Sequence, residues 1–176
     1  AQYMKSLSEN IIGALLKIII TVGVFLLMMT AAYSQNQQGK YFNNLNDRGV
    51  IIDGYDPVAF FIDNKPVRGD AQYQYAYEDA IYYFSSQDHL ELFKGNPDKY
   101  KVQFGGWCAY AVSLGRVAPI DVNTFSIVNG RLVIQHNQRA VNSWNKDVQG
   151  NLALADKYWP KVSERGGKQI QTDAEK

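Results

Sequence analysis

Apolar positions along the chain fall into blocks of different period. Residues 18–32 (IIITVGVFLLMMTAA) form an uncharged and mostly apolar run. Lys5 and Lys17 lie ahead of it. Ala32-Tyr33-Ser34 follows, with small residues at the −3 and −1 positions of a cleavage point before Gln35. This is the charged, apolar, small-residue order of a secretory signal peptide. As a helix the run spans about 22 Å, short of a hydrocarbon core of roughly 30 Å. Extension back to Ile11 makes it long enough for an uncleaved anchor, with Lys17 inside. Residues 1–34 therefore read as a signal peptide or N-terminal anchor. The protein is expected to be exported, periplasmic or extracellular, and to meet a membrane only through this segment. No cysteine stands directly after the apolar run, which excludes a lipoprotein-type anchor.

The remainder has shorter blocks. Residues 35–46 are amide-rich and read as a linker or loosely docked arm. Residues 163–176 are polar, carry Gly166-Gly167, and are expected to fray. The domain is then residues 47–162, a normal size for one small unit. Val50-Ile51-Ile52 is β-prone and ends at the turn pair Asp53-Gly54. Residues 58–62 (VAFFI) predict another strand. Tyr73, Tyr75 and Tyr77 alternate with Gln74 and Ala76, so period two puts them on one strand face. Residues 81–84 (IYYF) complete a hairpin beyond Glu78-Asp79. Ser85-Ser86 opens a helix with Asp88 in its first turn and Leu90 and Phe93 on one face; Gly95 and Asn96-Pro97 end it. Residues 107–112 fit either a buried strand or a short buried helix. Asn129-Gly130 between alternating apolar residues predicts a two-residue hairpin. Val141, Trp144, Val148, Leu152, Ala155 and Trp159 mark one face of a helix or of two collinear helices, with Gly150 as the weak point and Pro160 near the end. The fold class expected is α+β: a small, mostly antiparallel sheet with helices packed on one side.

Charge narrows the function. The chain holds 18 basic and 17 acidic side chains. Loss of residues 1–34 removes Lys5, Lys17 and Glu9 and leaves a formal charge of zero. Nothing in that balance supports binding to nucleic acid. The single cysteine, Cys108, excludes an internal disulfide and any multi-cysteine zinc site.

Cys108 follows Gly105-Gly106, which permit a tight turn or a close approach. Two chemistries and one packing role compete for it: soft-metal ligation, thiol redox chemistry, or a small buried hydrophobe. His89 sits in the first turn of its helix, where the dipole favours a neutral ring able to bind metal. His136 follows the second hairpin. Cys108 with either histidine is a sensible set for copper or zinc. Asp53, Asp56, Asp63, Asp70 and Asp121 mostly adjoin Gly, Pro or Asn and read as turn caps. The tyrosine face of Tyr73, Tyr75 and Tyr77, with Tyr82, serves either to bind a ligand or partner or to pack across strands. No phosphate loop, nucleophile elbow or metalloprotease signature occurs. No base lies near Cys108 in sequence, so a binding protein is expected rather than a thiol enzyme.

Several stretches together resemble the YHS domain family, in particular its exported bacterial branch. They are Gly54-Tyr55-Asp56-Pro57-Val58-Ala59, Tyr82-Tyr83-Phe84-Ser85-Ser86, Phe93-Lys94-Gly95-Asn96-Pro97 with Tyr100, and residues 103–112 (QFGGWCAYAV). Asp121, Asn129-Gly130-Arg131-Leu132, Trp144, Ala155-Asp156 and Trp159-Pro160 fit the same branch. The resemblance implies a small α+β module described as heavy-metal binding and found attached to copper-transporting ATPases and some hydroxylases. Some relatives in the branch are described as selenoproteins. The short form of the domain carries one cysteine after Asp-Pro-Val and two after the Tyr-Tyr-Phe run. Ala59, Ser85 and His89 stand at those positions here, and of these only His89 is a soft-metal ligand. The expectation is an exported YHS-domain binding protein handling a soft metal ion or a redox partner through Cys108, with His89. The alternative is a module that binds a small molecule or protein on its tyrosine-rich face.

Overall fold

The computed structural model describes residues 15, 17, 19–23 and 41–172. The chain divides into two compact units, residues 1–39 and 40–176. In the first, residues 19–23 are helical. No helix among the described residues is long and apolar enough to cross a membrane. The cleavage positions at residues 32–34 lie outside the described residues.

The second unit is α+β. Its strands form two antiparallel hairpins, and both close as the pattern predicts. In the first, β1 (Asp70–Tyr77) pairs with β2 (Ala80–Phe84), with Tyr77 opposite Ala80 and Tyr75 opposite Tyr82. Glu78 and Asp79 form its two-residue turn, both at positive φ, the geometry that matches strand twist. In the second, β3 (Ser126–Val128) pairs with β4 (Arg131–Val133) around Asn129-Gly130. The two ladders are separate two-stranded sheets.

Two apolar runs behave otherwise than their β propensity predicts. Residues 50–52 make only isolated bridges, Leu45 with Ile51 and Val50 with Ile81, and pass into a 3-10 turn at Ile52–Gly54. Residues 58–62 are not a strand. They enter helix α1 (Ala59–Ile62), because the Asp56 carboxylate accepts the Val58 and Ala59 N–H groups and turns the chain into a helical start. Val58, Ala59 and Phe60 are buried in succession, which an alternating strand does not allow.

Helix α2 (Gln87–Gly95) is capped by Ser86, whose hydroxyl accepts the His89 N–H. It stops at Gly95 as expected, and Asn96 caps a second short helix, α3 (Pro97–Tyr100). Helix α2 lies against the hairpin, with Phe93 at the centre of the main core. After a 3-10 turn at Phe104–Gly106, Trp107 and Cys108 remain outside the helix and the short-helix alternative holds from Ala109: α4 (Ala109–Ser113) begins directly after Cys108. The apolar face of residues 141–159 belongs to two helices, α5 (Gln138–Trp144) and α6 (Val148–Glu164). The break falls before Asp147, not at Gly150. Asp147 caps α6 by accepting the Gly150 N–H at 2.9 Å. Pro160 lies inside α6 and near its end at Glu164, as expected.

Both ends of this unit are more firmly held than their polarity predicts. Asn44 N donates to Gly105 O at 2.8 Å, Asn44 Nδ2 to Gly106 O at 3.0 Å, and Asn43 Nδ2 to Glu78 O at 2.6 Å. Phe42 stacks on Trp107 with centroids 5.3 Å apart. Beyond α6, Ile170 and Thr172 are buried, and Ile170 N donates to Gly115 O. The packed unit thus reaches past both limits of residues 47–162.

Candidate functional site

The residues singled out in the sequence gather in three places. The first is Asp56, which is fully buried. Its Oδ1 accepts from Val58 N at 2.8 Å and Ala59 N at 3.3 Å. Its Oδ2 accepts from Ser85 N at 2.8 Å, Ser85 Oγ at 2.7 Å and His89 Nδ1 at 2.6 Å. The carboxylate is acceptor-only, so the His89 Nδ1 carries the proton and Nε2 keeps its lone pair in the neutral ring. The His89 side chain is 14% exposed. Ala59, Ser85 and His89 are therefore neighbours through one carboxylate, joining α1 to the start of α2. Asp70 and Asp121 also accept a backbone N–H two residues on, the turn role expected of these residues.

The second place is the tyrosine face. The Tyr75, Tyr77 and Tyr82 rings lie 6.3, 5.9 and 4.7 Å from Phe93, and Tyr73 packs on the same cluster. Helix α2 thus occupies the face that these residues share. Burial, with Glu78 close by, pushes the Tyr82 phenol well up. Tyr77 Oη donates to Asp98 at 3.2 Å, and Lys101 bridges Asp98 and Glu78.

The third place holds Cys108. It is 1% exposed and forms one wall of a cavity of about 170 Å³ between α4 and the start of α5. Its Sγ–H donates to Gln135 Oε1 at 3.4 Å, and the same oxygen accepts from Tyr110 N at 2.9 Å. Burial pushes the Cys108 thiol above its ordinary pKa; nearby backbone N–H groups and the Arg116 charge offset this only in part. The thiol is therefore protonated at neutral pH and a poor nucleophile. Gln135 is itself 1% exposed, and its Nε2 has no hydrogen-bond partner among the described residues. His136 lines the same cavity. Its Nδ1 is 2.9 Å from the Pro119 carbonyl, which can only accept, so Nε2 keeps a lone pair in the neutral ring.

Cys108 and His89 have different neighbours: His89 belongs to the Asp56 cluster, whereas Cys108 shares its cavity with His136. Among the described residues no group of three His, Cys, Asp or Glu side chains is placed to hold a metal ion. Sequence reasoning did not single out Gln135, Arg116 or Arg139. Gln135 had a signal, as the polar residue that closes the run Leu132-Val133-Ile134. The two arginines had none, because α4 and α5 bring them to the cavity from separate stretches. Comparison with protein-family models, with curated proteins and with solved structures finds no match.

Proposed function

We propose that this chain is a binding protein of YHS type that takes a small molecule in the Cys108 cavity. The observation that carries this reading is the cavity itself: a concave, half-open space walled by a buried, protonated thiol and lined by residues from α4, α5 and the segments that flank them. Small-molecule sites are concave, largely apolar and furnished with a few convergent polar groups. The YHS assignment is supported by the grouping of Ala59, Ser85 and His89, the positions where the short-form cysteines align, around Asp56. Hydrogen bonds stand there in place of thiolates, so the ligand is assigned to Cys108 instead. Export rests on the apolar run of residues 18–32 and its flanks.

A second reading keeps the soft metal. Cys108 and His136 line one cavity, and the His136 Nε2 is available, a pair suited to two-coordinate copper(I). The raised thiol pKa opposes it, since the metal must displace the proton.

A fragment library screened against the full chain by NMR, with copper(I) and zinc titrations followed by native mass spectrometry, separates the two. We expect fragments to displace amide signals around Tyr110, Ala111 and Ala140, with no metal retained. Stoichiometric copper(I) that is lost in both Cys108→Ser and His136→Gln overturns the small-molecule reading in favour of the metal.

A further inference from the structure

The Cys108 cavity has an asymmetry of charge that indicates its ligand. Arg116, just beyond α4, and Arg139, in the first turn of α5, both line it and are exposed. Neither guanidinium has a carboxylate, hydrogen-bond or ring partner among the described residues. Of the four other arginines of this unit, Arg68 pairs with Asp53 and Arg131 with Asp156 through two bonds of 2.7 and 2.8 Å, whereas Arg48 and Arg165 do not line the cavity. No acidic side chain lines the cavity, and its one imidazole has its Nδ1 proton held by the Pro119 carbonyl. In a unit with balanced charge, this places two arginines without a carboxylate partner at the edge of one concave site. Low-dielectric walls focus such a field on whatever enters. The rest of the lining includes groups different in kind. Cys108, Ala111, Ala118 and Ala140 supply small apolar surface. A volume of about 170 Å³ admits only a body of a few carbons.

We propose that the cavity binds a small monocarboxylate, with the carboxylate held by Arg116 and Arg139 and a short apolar body resting on Cys108 and the three alanines. The planar guanidinium fork matches a carboxylate in geometry as well as charge, so the pair selects acids over the corresponding amides. The inference rests on the cavity being the ligand site and adds the class of ligand.

The test titrates the full, 15N-labelled chain with propionate and with propionamide, which share size and carbon skeleton, at fixed ionic strength. Propionate is expected to displace the amide signals of Tyr110, Ala111, Arg116 and Ala140 saturably, and propionamide to bind at least tenfold more weakly. Arg116→Gln and Arg139→Gln, both at exposed positions, are each expected to weaken propionate about tenfold while leaving the rest of the spectrum in place. Equal binding of the two probes, or propionate binding indifferent to both replacements, overturns the carboxylate and leaves the cavity standing as a ligand site. Absence of saturable displacement by either probe overturns the carboxylate, and the fragment screen then decides the cavity independently.

Discussion

Asp56 accepts five hydrogen bonds where water does not reach. Removal of one partner from such a group leaves the others unsatisfied, at a cost of about 1–3 kcal/mol each. Asp56→Ala should therefore destabilise the protein by about 3–5 kcal/mol, with a matching fall in the urea midpoint. His89→Ala should cost only about 1 kcal/mol, because four donors to the carboxylate remain. Equal losses in the two variants would show that the imidazole, rather than the carboxylate, organises this junction. Cys108 makes a different prediction. Its folded pKa is raised, so between the unfolded and folded values the unfolded chain gives up its proton first. The stability linked to a protonated thiol is complete below about pH 8.5 and is lost as pH rises toward the folded value. Urea midpoints from pH 7.5 to 10 should fall more steeply for the native chain than for Cys108→Ala. The alkaline groups common to both drop out of that difference. Parallel slopes would mean that the thiol is not desolvated.

At the scale of elements, what was legible in the sequence was local. The hairpin turns at Glu78-Asp79 and Asn129-Gly130 and the Ser86 cap each depend on residues within one turn of chain, and each is where the pattern puts it. What was not legible depends on distant partners. Residues 58–62 carry the composition of a strand, but Asp56 caps them as a helix and the core accepts three consecutive side chains. Cys108 was visible as a candidate because it is the only thiol, whereas its partners Gln135 and Arg139 follow it by some 30 residues and show no shared motif. The Gly105 turn shows the same dependence on distance. Gly105 has φ +58°, and a Cβ there would strike the Phe42 carbonyl oxygen. Gly105→Ala combines an unfavourable backbone conformation with that clash and should cost about 2 kcal/mol or more. Its signature is faster hydrogen exchange at the Asn44 amide, which bonds to Gly105 O. An unchanged Asn44 exchange rate would show that the turn and the arm are independent.

The close approach at Gly105 bears on where the packed unit begins. Residues 41–46 are bound by side-chain and backbone hydrogen bonds to Asp79, Glu78, Gly105 and Gly106, and by the bridge of Leu45 with Ile51. Phe42 stacks on Trp107, meets Trp159 with centroids 6.2 Å apart, and lies where a Cβ on Gly167 would intrude. A single aromatic side chain thus ties the segment before the first hairpin to α6 and to the turn beyond it. Polar composition hides this role, since the anchoring force is one ring in a run of amides. Half-buried aromatic truncations cost less than the 3–5 kcal/mol typical of full burial, so Phe42→Ala should lose about 2 kcal/mol. The loss should appear as one cooperative shift of the whole unfolding curve, together with protease sensitivity at both residues 41–46 and residues 165–172. Sensitivity confined to the N-terminal side would mean that the arm is an attachment, and that the unit is complete without it.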